Sequence, residues 1–180
     1  MSMTTLATRP VFESRWLKLR EDVICLGDGS TSTYAVVEKA DSAIIAPVQD
    51  GRIYLVEQFR YPVSGRYWEL PQGSWPDAPG KEPLELAKAE LREETGLSAA
   101  EMVPIGHLFE ACGYSNQGVH VFFATGLSQG PQDLEPEESD LICRSFTFAE
   151  VRQLIDDGLI KDATTMAAFG LLQIKGLLSF

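Results

Sequence analysis

Three glutamates near the middle of the chain, Glu90, Glu93 and Glu94, stand three and four apart in a stretch that lacks glycine from Glu82 to Thr95. At helical spacing their carboxylates project from one face. Such a cluster can hold a hard divalent cation, or it can simply face water. Like-charge repulsion costs only about 0.2–0.5 kcal/mol per pair on an exposed helix, so spacing alone favours the solvated face. A second acidic group, Glu135, Glu137 and Glu138, lies in the proline-containing loop Gly130 to Asp140. It offers a general base, and a loop of this composition is as often only solvated. Arg60 can meet a substrate phosphate or pair with Glu69, and the two readings stand equal. Trp68 and Trp75 flank the turn Leu70-Pro71-Gln72-Gly73, where they can stack on a base or pack in the core. His107 and His120 have no serine or cysteine partner motif and read as structural.

The elements that must position these residues are legible in outline. After a polar leader, Trp16-Leu17-Lys18-Leu19 and Tyr34-Ala35-Val36-Val37 read as antiparallel strands around the turn-rich Gly27-Asp28-Gly29-Ser30. A hairpin is expected from Ala43 to Val48 and from Ile53 to Tyr61, turning at Asp50-Gly51. Glu82 to Thr95 reads as a helix stopped by Gly96. Ile105 to Ala111 and Val119 to Ala124 read as strands. Thr147 and Glu150 form a capping-box pattern ahead of a helix closed by Gly158, and a nearly uncharged helix is expected over about Ala163 to Leu178. This order predicts an α/β (α+β) fold, a mixed sheet between helices with an N-terminal antiparallel region, as a single domain over residues 1–180.

Composition narrows the chemistry. A net charge of −11, from 15 basic and 26 acidic residues, argues against nucleic acid or an anionic membrane as partner. An anionic substrate would need a local cation to screen it. Cys25, Cys112 and Cys143 lack metal-ligand spacing or an even count, which fits a reducing cytoplasm better than a disulfide framework. No apolar run approaches the roughly 20 residues that span a bilayer.

Glu90-Leu91-Arg92-Glu93-Glu94-Thr95-Gly96-Leu97, with Gly73 upstream, resembles the ending of the Nudix hydrolase signature, Gly-x5-Glu-x7-Arg-Glu-U-x-Glu-Glu-x-Gly-U, where U is a bulky aliphatic. Glu57-Gln58-Phe59-Arg60-Tyr61, Trp68 to Gly73 and Asp157 to Thr165 are similar to segments of the ADP-ribose pyrophosphatase branch of that family. Two positions depart from the pattern: Ala89 stands where the signature has arginine, and Lys81 where it has its first glutamate. Two extra residues also separate Gly73 from the helix.

The resemblance implies a Nudix-type fold and metal-dependent cleavage of a nucleoside diphosphate sugar, ADP-ribose first and GDP-mannose as an alternative, with Mg²⁺ or Mn²⁺ as cofactor. A rival expectation is a domain that kept the fold and binds ligand without turnover. Glu90, Glu94 and the backbone carbonyl of Gln72 are the implied metal ligands, with Glu93 binding a second cation or orienting water. Glu138 is the implied general base, with Glu137 next. Arg60, Glu69 and Trp68 are the expected substrate contacts. A homodimer that exchanges its N-terminal strands is also implied.

Overall fold

The computed structural model describes residues 3–77, 81–134 and 138–178. Three N-terminal strands, β1 (Thr4–Glu13), β2 (Lys18–Cys25) and β3 (Thr31–Glu38), form one antiparallel sheet in the order β1-β2-β3. β1 begins well before the expected strands, and all ten of its residues are exposed. Backbone pairing with β2, rather than burial, therefore defines it.

The main sheet contains β4 (Ser42–Gln49), β5 (Arg52–Arg60), β6 (Gly65–Glu69), β7 (Gln72–Ser74), β8 (Leu97–Phe109), β9 (Gly118–Gln129) and β10 (Ile142–Thr147). Its order is β10-β5-β4-β9-β8, with β6 on β5 and β7 on β4. β4 and β9 run parallel and their other pairings are antiparallel, so the sheet is mixed as expected. The Asp50-Gly51 turn has positive φ at both residues, the backbone that a tight hairpin between right-twisted strands requires.

The helices are α1 (Pro83–Thr95), α2 (Phe148–Asp156) and α3 (Ala163–Ile174). β4 is buried on both faces, and its alternation divides the core in two. Ala43 and Ile45 pack with Leu86, Ala87 and Leu91 of α1. Ile44 and Ala46 pack with Val151 of α2 and with Phe169 and Leu172 of α3. The sheet is thus sandwiched between helices.

Two boundaries differ from expectation. β8 starts at Leu97, directly after α1, because β9 continues to Gln129 and supplies partners for a stretch too exposed to show an apolar period. α3 ends at Ile174: Gly176 takes φ 70°, outside the helical region, although apolar residues continue beyond it. The capping box at Thr147 and Glu150 is present in both directions.

The start of α3 anchors the turn at residues 70–73. Asp162 caps α3 by accepting from the Thr165 N–H at 2.7 Å, and it also accepts from Gln72 Nε2 at 3.2 Å. Thr165 Oγ1 accepts from the Leu70 N–H at 3.0 Å. Asp162→Ala removes both a cap and a tie to this turn. The expected loss is about 0.5–2 kcal/mol in urea unfolding, and an unchanged midpoint would contradict the role.

Candidate active site

α1 is built to carry carboxylates into the protein. Pro83 opens it, where a missing N–H costs nothing, and Gly96 closes it with φ 72° and an N–H bonded to Arg92 O at 2.8 Å. Leu86, Ala87 and Leu91 fix the helix on the sheet. That packing turns Glu90 and Glu94 inward, leaving them 7% and 0% exposed, while Glu93 is half-buried and Arg92 exposed. The solvated-face reading does not hold for Glu90 and Glu94.

β7 meets this face of the helix directly. A Cβ on Gly73 would stand 2.4 Å from the Glu90 carboxylate, so glycine permits the approach. One residue earlier, the Gln72 N–H donates to Glu94 Oε2 at 2.9 Å. Glu94 Oε1 is buried and has no hydrogen-bond partner among the described residues. Burial pushes the Glu94 carboxyl well above its ordinary range, and the charges of Glu138, Glu90 and Glu69 push it further, against the single Gln72 N–H. An unpartnered carboxylate oxygen among other carboxylates is a poor place for a bare negative charge and a good one for a hard divalent cation. The residues therefore fit a hard divalent cation.

The acidic loop is fastened to the end of α1. The last carbonyls of a helix lack partners within it. Here the Asp133 N–H reaches Glu93 O at 3.1 Å, Gln132 Nε2 reaches Glu94 O, Gln129 Nε2 reaches Thr95 O at 3.2 Å, and the Gly130 N–H reaches Gly96 O at 2.7 Å. At the other end of the loop Arg66 donates to Asp140 O at 2.8 Å and to Glu57 at 2.9 Å. Glu138 lies between these ties, near enough for its charge to act on Glu94. Glu135 and Glu137 lie outside the described residues.

A cleft of roughly 570 Å³ opens beside the glutamates, with Arg60, Glu69, Gln72, Lys39 and Lys161 on its walls. Arg60 and Glu69 pair with each other, and Gln58 Nε2 donates to Glu69 at 2.9 Å. Arg60 thus makes the ion pair and still lines the cleft. Burial raises the Glu69 carboxyl, only partly countered by Arg60.

Trp68 requires a correction. It is 9% exposed and stands edge-on to Phe146 at 4.8 Å, so its ring belongs to the core and offers no face to a ligand in the cleft. Trp75 packs against the α1 side of the sheet, and the Lys81 ammonium sits 3.9 Å over its ring. Lys81 is exposed there, and Ala89 lines a separate surface cleft with Trp75 and Arg92. Lys39 and Lys161 line the cleft without a sequence pattern that marks them, since an isolated lysine carries none.

The NUDIX domain model matches residues 39–169, and the model of the nucleoside diphosphate sugar hydrolase N-terminal domain matches residues 3–37. The chain belongs to the NUDIX family. It is 34% identical to an ADP-ribose pyrophosphatase of Mycobacterium tuberculosis (strain ATCC 25618 / H37Rv), over 93% of this chain and 79% of that protein. It is 30% identical to one of Bacillus subtilis (strain 168), over 95% and 92%. A methanol dehydrogenase activator of Bacillus methanolicus is 32% identical over 95% and 92%. A crystal structure of an ADP compounds hydrolase shares the fold with TM-score 0.83 and 22% identity, covering 99% of this chain and 98% of that one. In this NUDIX hydrolase Glu69, Glu90 and Glu138 lie near enough for their charges to act on Glu94.

The raised Glu94 carboxyl makes stability depend on pH. A folded pKa above the unfolded one contributes stability that is fully present below the unfolded value, near 4.5, and is lost as pH rises through the folded value. In metal-free protein Glu94→Gln should therefore raise Tm relative to the parent by an amount that grows as pH rises above the ordinary carboxylate range. A Tm difference independent of pH would show that Glu94 is not held protonated by its surroundings.

Proposed function

We propose that this NUDIX hydrolase cleaves the pyrophosphate bond of ADP-ribose, giving AMP and ribose 5-phosphate. The observation that carries the reading is Glu94, buried with one unpartnered oxygen between Glu90, Glu138 and the Gln72 peptide. The ADP-ribose pyrophosphatases among its relatives support the choice of substrate.

When bound, a divalent cation supplies the positive charge that a diphosphate needs before attack at phosphorus. Glu90, Glu94 and the Gln72 carbonyl hold it, and Glu93 holds a second ion or orients the attacking water. Glu138 takes a proton from that water as its oxygen bonds to phosphorus and the bridging P–O bond breaks. Arg60, Lys39 and Lys161 face the remaining phosphate charge from the cleft walls, and Glu69 fixes the Arg60 guanidinium. Ala89 and Lys81 do not remove a proposed ligand. Their departure from the signature affects rate through the groups that orient the glutamates.

The exposed Leu6, Val11 and Phe12 of β1, with Trp16 in the connection to β2, support a homodimer covering that region. Sedimentation as a stable monomer at micromolar concentration would remove this part of the reading. No helix among the described residues is long and apolar enough to cross a membrane. The odd number and wide spacing of Cys25, Cys112 and Cys143, all free thiols, support a reducing, cytoplasmic location.

A panel of ADP-ribose, GDP-mannose, UDP-glucose and nucleoside triphosphates with Mg²⁺ or Mn²⁺ tests the activity. ADP-ribose should be hydrolysed best, and Glu138→Gln should lower kcat about 10²–10⁴-fold with little change in substrate affinity. Binding without hydrolysis of any member would contradict the reading and favour a domain that binds ligand without turnover.

A further inference from the structure

We propose a second metal site on this chain, formed by Asp41, His107 and His120, for a borderline divalent ion of the Zn²⁺ type. Although the two histidines are separated by 13 positions of sequence, they are direct cross-strand partners on β8 and β9. Their rings lie 4.6 Å apart, centroid to centroid. Asp41, in the connection between β3 and β4, completes the group. Its Oδ2 is 3.1 Å from His107 Nε2 and 3.4 Å from His120 Nε2. One ligand atom from each residue lies within 4.8 Å of the others.

The two distances from Asp41 Oδ2 to the imidazole nitrogens are those of ligands that share one ion. Ligands about 2.0–2.2 Å from a shared metal stand about 3.0–3.4 Å apart in octahedral or tetrahedral geometry. The imidazoles select against Mg²⁺, which prefers oxygen, and favour zinc, cobalt or nickel. Three protein ligands also leave a position for water or a small anion.

The group is held in place by its surroundings. Asp41 Oδ1 accepts from the Gly118 N–H at 2.9 Å, which orients the carboxylate and leaves Oδ2 toward the histidines. Residue 118 must be glycine for the three to meet, since a Cβ there would stand 2.1 Å from His107 Nε2 and 2.9 Å from Asp41 Oδ2. Phe109 packs edge-on against His107 at 5.5 Å and limits its rotation. All three ligands are partly open to solvent, which gives an ion access.

The site is distinct from the glutamates. His120 pairs with Ala43 across β4, and Ala43 pairs with Gly73, which abuts Glu90. Two strand spacings, about 10 Å, therefore separate the His120 backbone from that of Gly73.

Zinc titration of the tag-free full chain in excess Mg²⁺, read by competition with a chromophoric chelator, tests the proposal. One Zn²⁺ should bind per chain in the parent and in the Glu90→Gln/Glu94→Gln double variant. Affinity should fall at least tenfold in His107→Gln and in His120→Gln. NMR of the imidazole nitrogens in the unsubstituted protein should show zinc-induced shifts at Nε2 of both histidines, a readout that needs no variant to fold. Absence of zinc uptake in excess Mg²⁺, retention of full affinity by the folded histidine variants, or unshifted Nε2 signals would each overturn it. Loss of zinc in the glutamate double variant would assign the ion to the other site and overturn it equally.

Discussion

A carboxylate with no donor among the described residues for one of its oxygens, buried among other carboxylates, is the constraint around which this protein is arranged. Glu94 is fully buried, receives one backbone N–H, and faces the charges of Glu138, Glu90 and Glu69. A proton or a cation must offset that charge, since an unpaired buried charge is among the costliest features a fold can carry. The same cost makes the site selective for a small, highly charged ion.

Much of the surrounding structure holds that arrangement in place. The hydrophobic side of α1 fixes its rotation, Gly73 lets β7 approach Glu90, and the α3 cap ties Gln72 from the opposite side. The last carbonyls of α1 hold the start of the acidic loop through Gln129, Gly130, Gln132 and Asp133. Arg66 pins the far side of that loop to β5. Most of these ties run from the side chains of Gln72, Gln129, Gln132 and Arg66, and none of them uses Ala89 or Lys81, the two departures from the family signature.

The elements that carry a local signal were the most legible in the sequence. Gly96 marks the end of α1, Asp50-Gly51 marks the hairpin, and Thr147 with Glu150 marks the start of α2. The helical spacing of Glu90 and Glu94 placed them on one face, but not whether that face looked inward. Burial depends on how α1 sits on the sheet, a tertiary fact. Trp68 was ambiguous for the same reason, since a tryptophan beside a turn can point into a cleft or toward Phe146. His107 and His120 acquire a shared setting only through the β8 and β9 register, and Asp41 reaches them through the Gly118 backbone. Distance along the chain concealed all three contacts.

The most direct test of the central claim is Mn²⁺ binding to the parent and to Glu94→Gln, followed by loss of the free-ion EPR signal, with folding of both checked by circular dichroism. If Glu94 is a ligand, the tightest site should weaken at least tenfold in the variant. Equal Mn²⁺ uptake by the two proteins would contradict it.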